Sequence, residues 1–274
     1  MLDKKFHMKI IAGILVFSLL LFSACSTDQS SASENETVAP KTTERFKGQF
    51  EIDAKVEAID ANEQLKKLNS LSFTNNAKSS AEAIAYLDEN DSEVKIIEKF
   101  NATETGNYGS KTFYIENGAV FCAKEVYFDK QISVPSFVER ISYYGKKQQV
   151  LATIERFAAY EEDLDQTAFN VTAKKRISVD RALSILNHSG EFETTFQGFL
   201  THNNMDFILV GKNTADGFTS ALSIQSQNAT VLYLQKNERK MVGTLLDVSH
   251  SFIVDGSGMT FQVLNDITII QPKK

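Results

Sequence analysis

Lys111–Phe128, KTFYIENGAVFCAKEVYF, decides the fold class. Two runs rich in aromatic and β-branched residues flank Asn117-Gly118. That dipeptide accepts the positive φ angles of a two-residue hairpin turn, because glycine has no Cβ and asparagine tolerates the left-handed region. The stretch therefore predicts an antiparallel hairpin. Phe137–Tyr144 and Gln148–Phe157 flank Gly145-Lys146-Lys147 in the same way and predict a second hairpin.

Toward the N-terminus, Ser79-Ser80-Ala81-Glu82 has the form of a helical capping box. Against a helix stand the turn cluster Asp88–Ser92 and the strand-like Val94–Phe100, so a hairpin is favoured there too. Phe50–Val56 alternates apolar with polar and predicts a half-buried strand, while Asn62–Leu68 predicts a short helix. Toward the C-terminus, Ala158–Arg176 is acidic, then basic, and mostly polar, as in a linker or a surface helix. Ser178–Leu186 predicts a helix, with Ser178 as cap and Val179, Ala182, Leu183 and Leu186 on one face. Strands are expected at Phe192–Leu200, Phe207–Gly211, Phe218–Ile224, Thr230–Gln235, Val242–Val254 and Met259–Ile270.

The predicted fold class is mainly β (α+β). An antiparallel meander sheet over 47–157 leads through the 158–177 linker to a small β-barrel or sandwich with one short helix over 178–274. Proteolysis inside the linker is expected to release a stable C-terminal unit.

The N-terminus is of a different kind. Lys4, Lys5 and Lys9 precede an apolar run, Ile10–Phe22, and the small residues Ser23 and Ala24. This is the three-part pattern of a secretory signal, shorter than the roughly 20 residues of a membrane span. Phe22-Ser23-Ala24-Cys25 resembles the lipobox of bacterial lipoproteins, with Phe22 where that family prefers leucine. The resemblance implies that residues 1–24 are removed and that Cys25 carries lipid as the first mature residue. It also implies a protein of the bacterial cell envelope, anchored to a membrane on the exported side. A signal cleaved elsewhere and a retained single-span anchor are the alternatives. Met8 is a possible start.

Residues 25–46 follow as a lipidated cysteine and a flexible tether, because Ser26–Arg45 has too few apolar side chains to offset its ordering entropy. A chain of that length reaches roughly 25 Å. Three segments, YLDENDSEVKIIEKF, GSKTFYIENGAVFCAKEVYFDK and ERISYYGKKQQVLATIE, together resemble uncharacterised lipoproteins of Bacteroidota-type bacteria over about Val56–Phe157. A fainter likeness to MORN-type repeats lacks their regular period and glycine spacing.

Composition narrows the function. Removing Asp3, Lys4, Lys5 and Lys9 with the signal takes away a net +2, so a formal charge of −6 becomes −8. That acidity argues against a nucleic-acid partner. Of the two cysteines, Cys25 and Cys122, a lipidated Cys25 leaves Cys122 without a disulfide partner, and its apolar neighbours make it a core thiol. Tryptophan is absent, which weakens a sugar-stacking role.

Searching for catalytic patterns yields no constellation. His188, His202 and His250 lack paired-ligand spacing and read as solvated, with a meeting in space with Asp206 or Asp247 as the metal-site alternative. Asp88-x-Asn90-x-Ser92 imitates a calcium loop, but Glu93 stands where glycine is needed and Lys99 where a glutamate is needed. Ser92-x-x-Lys95 has the spacing of a penicillin-site nucleophile, on a hairpin rather than at a helix start. The expectation is a lipid-anchored, non-catalytic binding or scaffolding module without metal or cofactor. Its partner would be the membrane, through Cys25, together with an envelope protein or small molecule. The candidate contact residues are Tyr108, Phe113, Tyr114, Tyr143 and Tyr144, with core packing as the alternative for at least half of them. The alternative is an envelope hydrolase or sugar-processing enzyme with carboxylates gathered by the fold.

Overall fold

A computed structural model describes residues 45–271, apart from 213, 215, 216 and 257. The expected signal peptide, Cys25 and all but the last two residues of the expected tether lie outside the described residues. Phe46, at the end of that tether segment, packs on Tyr143 with ring centroids 4.9 Å apart.

The predicted Asn-Gly hairpin is present. Strands β5 (Asn107–Glu116) and β6 (Ala119–Asp129) are joined by Asn117 at φ 54° and Gly118 at φ 73°, the signs a type I′ turn requires. Around it run β3 (Ser80–Leu87), β4 (Glu93–Ala102), β7 (Ser136–Tyr144) and β8 (Val150–Ala158), all antiparallel to their neighbours. The β3–β4 hairpin turns where Asp88 accepts the backbone N–H of Asn90 and of Ser92, each at 2.9 Å. Residues of the expected linker take part in this sheet. Glu161–Gln166 is a 3-10 turn, and β9 (Asn170–Thr172) pairs with β8.

Two expectations before β3 are corrected. Residues 50–56 lie in helix α1 (Gln49–Asp60), not in a strand. Their alternation also places Ile52, Val56 and Ile59 on one helical stripe, and these three cover the sheet face of Tyr114, Cys122, Tyr143 and Ile154. The predicted helix at 62–68 is instead a turn followed by β1 (Lys66–Asn69), which pairs with Ile84–Leu87 of β3. Strand β2 (Phe73–Thr74) continues along the same edge of β3. Here the open edge of β3 outweighs a weak local helix preference.

After α2 (Asp180–Leu186) come β10 (Phe196–His202), β11 (Met205–Gly211) and β12 (Thr219–Ser223). The strand expected at 230–235 is helix α3 (Ala229–Lys236). Asn228 caps it by accepting the N–H of Val231 at 2.9 Å, and Val231 and Leu234 fall on one buried side. A short α4 (Glu238–Met241) leads to β13 (Leu246–Val254) and β14 (Thr260–Ile269).

No barrel closes among the described residues. All fourteen strands join one mainly antiparallel sheet, in the order β10-β11-β12-β2-β3-β4-β5-β6-β7-β8-β9, with β1 on β3 and the β13–β14 hairpin on β12. Thr219 of β12 pairs with Thr74 of β2, and Ser223 at its other end pairs in parallel with Val263 of β14. The sheet therefore forks beside β12. Gln262 stitches the fork, accepting the Ser72 N–H at 2.7 Å and donating to Ser220 Oγ at 2.8 Å.

The apolar cores follow from this pairing. Leu71, Phe73, Ala81 and Ala83 pack with Phe192, Phe196, Ile208, Leu222, Leu234 and Leu264, so one core takes residues from both sides of the 158–177 stretch. Helix α2 lies over β3 and β4, where Ala81, Ala83 and Ala85 present side chains small enough for close approach.

Candidate functional site

Two of the concave sites in this fold differ in charge. The larger, about 920 Å³, sits at the hairpin end, between α1, the β3–β4 and β5–β6 turns, and α2. Ala58, Ile59, Val94, Ile115, Val120, Phe121, Val179 and Leu183 give it an apolar lining. Asp88, Asp91, Glu93, Glu116 and Lys55 supply its polar part. Most of these charges have partners: Lys55 pairs with Glu116 at 3.0 Å, Asp91 pairs with Lys66 at 2.9 Å, and Asp88 holds its own turn. The calcium-like spacing Asp88-Asn90-Ser92 is thus a side-chain-closed turn. Lys95 of the Ser92-x-x-Lys95 pair is bound to Asp60 at 2.6 Å, away from a nucleophile's role.

The smaller site, about 530 Å³, lies where the sheet forks. Lys67, Leu68 and Asn69 of β1 line one side and Val248–Phe252 of β13 the other, with Leu186 and His188 from the end of α2. His188 sits at φ 48°, just past that helix. Its Nε2 is sealed from solvent and has no hydrogen-bond partner. Burial lowers the pKa of His188, and His250 lowers it further; Asp247 acts in the opposite direction. Burial also lowers His250, opposed by a hydrogen bond with the Ser70 backbone. Two of the three histidines read as solvated are therefore partly buried and line one groove. His202, at the β10–β11 turn, is not among its lining residues. Among the described residues no group of three or more His, Cys, Asp and Glu side chains could hold a metal.

The expected aromatic contact surface divides. Phe113, Tyr114, Tyr143 and Tyr144 are buried. Tyr114 donates to Asp60 at 2.8 Å and Tyr143 to Asp53 at 3.0 Å, so both phenols fasten α1 to the sheet. Burial raises both phenols' pKa values. Tyr144 donates to the Ile177 carbonyl at 3.0 Å and accepts the Ile177 N–H at 2.8 Å, pinning the chain before α2. Tyr108 alone of the five is exposed, stacked on Phe128 with centroids 5.5 Å apart. Cys122 is free and buried, and desolvation pushes its thiol pKa well up.

Sequence reasoning missed both concavities, because each gathers residues from distant elements. The partial signal was one predicted helical face: its Val179 and Leu183 line the first site and its Leu186 the second. No helix among the described residues is long and apolar enough to cross a membrane. Comparison with protein-family models, with curated proteins and with solved structures gave no match.

Proposed function

We propose that this protein is a lipid-anchored binding module of the bacterial envelope, held through Cys25 on the exported side, with the hairpin-end cleft as its ligand site. The observation that carries the reading is the apolar lining of that 920 Å³ cleft, of a size that encloses a small ligand or a short peptide segment. Its carboxylates favour recognition over hydrolysis, since Asp88, Asp91 and Glu116 are engaged by turn amides or lysines. An acid–base pair for glycoside chemistry needs two carboxylates free to exchange protons with substrate.

The test is photocrosslinking in cells from a reactive amino acid at Phe121, inside the cleft, against one at Val171, an exposed position outside its lining. A defined adduct from position 121 alone is expected. Turnover in a hydrolase screen that disappears in Glu93→Gln would replace the binding reading with the enzymatic one. The anchor has its own check: a fatty-acid analogue should label the wild type and not Cys25→Ser.

A further inference from the structure

The groove at the fork is built differently from the cleft. Its polar lining side chains are Lys67, Asn69, His188, Ser249, His250 and Ser251, all of donor-bearing types and none a carboxylate, although His250 already bonds the Ser70 backbone and Ser251 bonds Asn265 at 3.0 Å. Four carboxylates line the cleft. Leu68, Leu186 and Phe252 supply apolar contact beside the donors.

His188 Nε2 is the decisive atom. A polar atom shut away from water without a partner costs the fold its lost hydration, and such atoms are uncommon in native proteins. The imidazole borders the groove, so a turn of the ring toward it would let a ligand oxygen supply the missing partner. Lys67 borders the groove with its ammonium over the Tyr86 ring at 5.5 Å and makes no ion pair among the described residues. The site thus has at its edge a cation held by an aromatic ring and not by an anion, and an imidazole nitrogen without a partner within.

We propose that this groove binds a carboxylate carried on an apolar body, with the charged group held by His188 and His250 and the body against Leu68, Leu186 and Phe252. Burial depresses the pKa values of both imidazoles, as in a desolvated site. A metal ion fits less well: two histidines fall short of the three or four protein ligands that zinc sites use, and no third donor joins them among the described residues. Asp247, whose field raises the pKa of His188, is not among the groove's lining residues.

The probe is decanoate, below its micelle concentration, titrated into the full chain by calorimetry beside decanol, decylamine and Zn²⁺. Imidazole resonances are followed by NMR in the same samples. Decanoate is expected to bind at least tenfold tighter than decanol, to shift the His188 and His250 signals and to raise the pKa of His188. His188→Gln and His250→Gln should each weaken decanoate at least tenfold while leaving the far-ultraviolet spectrum intact. The NMR titration of the wild type stands even where a variant folds poorly. Equal binding of decanol and decanoate, or decanoate binding that leaves both imidazoles unmoved, overturns the assignment. So does stoichiometric Zn²⁺ binding, lost in the same variants, with no response to decanoate.

Discussion

The meander from β3 to β9 and the forked part from β10 to β14 share one sheet but are held by different forces. In the meander, Glu98, Lys111, Glu125, Arg140 and Glu155 stand directly opposite one another on five successive strands, an alternating ladder of charge. Arg140 links Glu125 and Glu155 within it, and Arg181 reaches down from α2 to fully buried Glu98. Every ion pair among the described residues lies between Lys55 and Glu191. The forked part relies instead on an apolar core and on side chains that bond backbone, such as Thr194 to Leu246 at 2.7 Å and Gln262 at the fork. Local hairpins tolerate charge between their strands when each charge meets its opposite across the register. A non-local junction has no such register until it is packed, so apolar burial must hold it.

The largest expected effect comes from separating the two regions. A fragment of residues 175–274 loses Leu71, Phe73, Ala81 and Ala83 from the shared core, together with the β2 partner of β12. It is expected to show poor NMR dispersion and no cooperative melt. A dispersed spectrum with a sharp transition would show that the forked part stands alone.

Within the shared core, Phe192 is fully buried and touches both Phe73 and Phe218, at 5.2 Å and 4.9 Å between ring centroids. Phe192→Ala should cost about 3–5 kcal/mol in denaturant unfolding, the range for deleting a buried aromatic. A loss under 1 kcal/mol would mean that apolar packing is not what holds the fork.

The ladder gives a smaller number with a sharper control. Arg181→Met leaves Glu98 buried with only Lys111, 3.6 Å away, as a cation. The expected loss is about 2–3 kcal/mol, most of it the penalty of a charge stripped of its partner. Adding Glu98→Gln should recover most of that loss. If the double variant is as unstable as the single one, packing by Arg181 on Phe192 and Phe218, and not charge, is the bond to α2.

The smallest effect tests the groove through pH. His188 and His250 titrate below the usual histidine value in the folded chain, so the unfolded chain takes up protons first as pH falls through about 6.5. The neutral pair's contribution is complete above that value and is lost as pH drops toward the folded pKa values. Melting temperature should therefore fall between pH 7.5 and 5.5, and fall less in His188→Gln/His250→Gln. Parallel curves for the two proteins would remove the pair from the pH response.

How much could be read in advance varies with the range of the interaction. Asn117-Gly118 announced its hairpin because two adjacent residues contain the whole geometric requirement. Residues 50–56 misled because an alternating stretch also carries a stripe of Ile52, Val56 and Ile59, and only the exposed sheet face chose between them. Residues 230–235 misled through β-branched and aromatic composition, although Asn228 stood in place as a cap. Phe113, Tyr114, Tyr143 and Tyr144 could be read as surface contacts or as core, and all four are core, since strand period alone does not say which side a helix will cover.

By itself, then, the sequence determined that this chain is mainly β, where its hairpins turn, and that Ser178–Leu186 contains a helix. Each of these is settled within a dozen residues by turn chemistry and hydrophobic period. Tertiary structure alone decided that β2 meets β12, that the sheet forks rather than closes, and that His188 and His250 share a groove. The physical reason is that the backbone edge of one strand offers the same N–H and C=O groups as any other. Partners far apart in the chain are selected only when side chains such as Phe73, Phe192 and Gln262 find one arrangement that buries and satisfies them together.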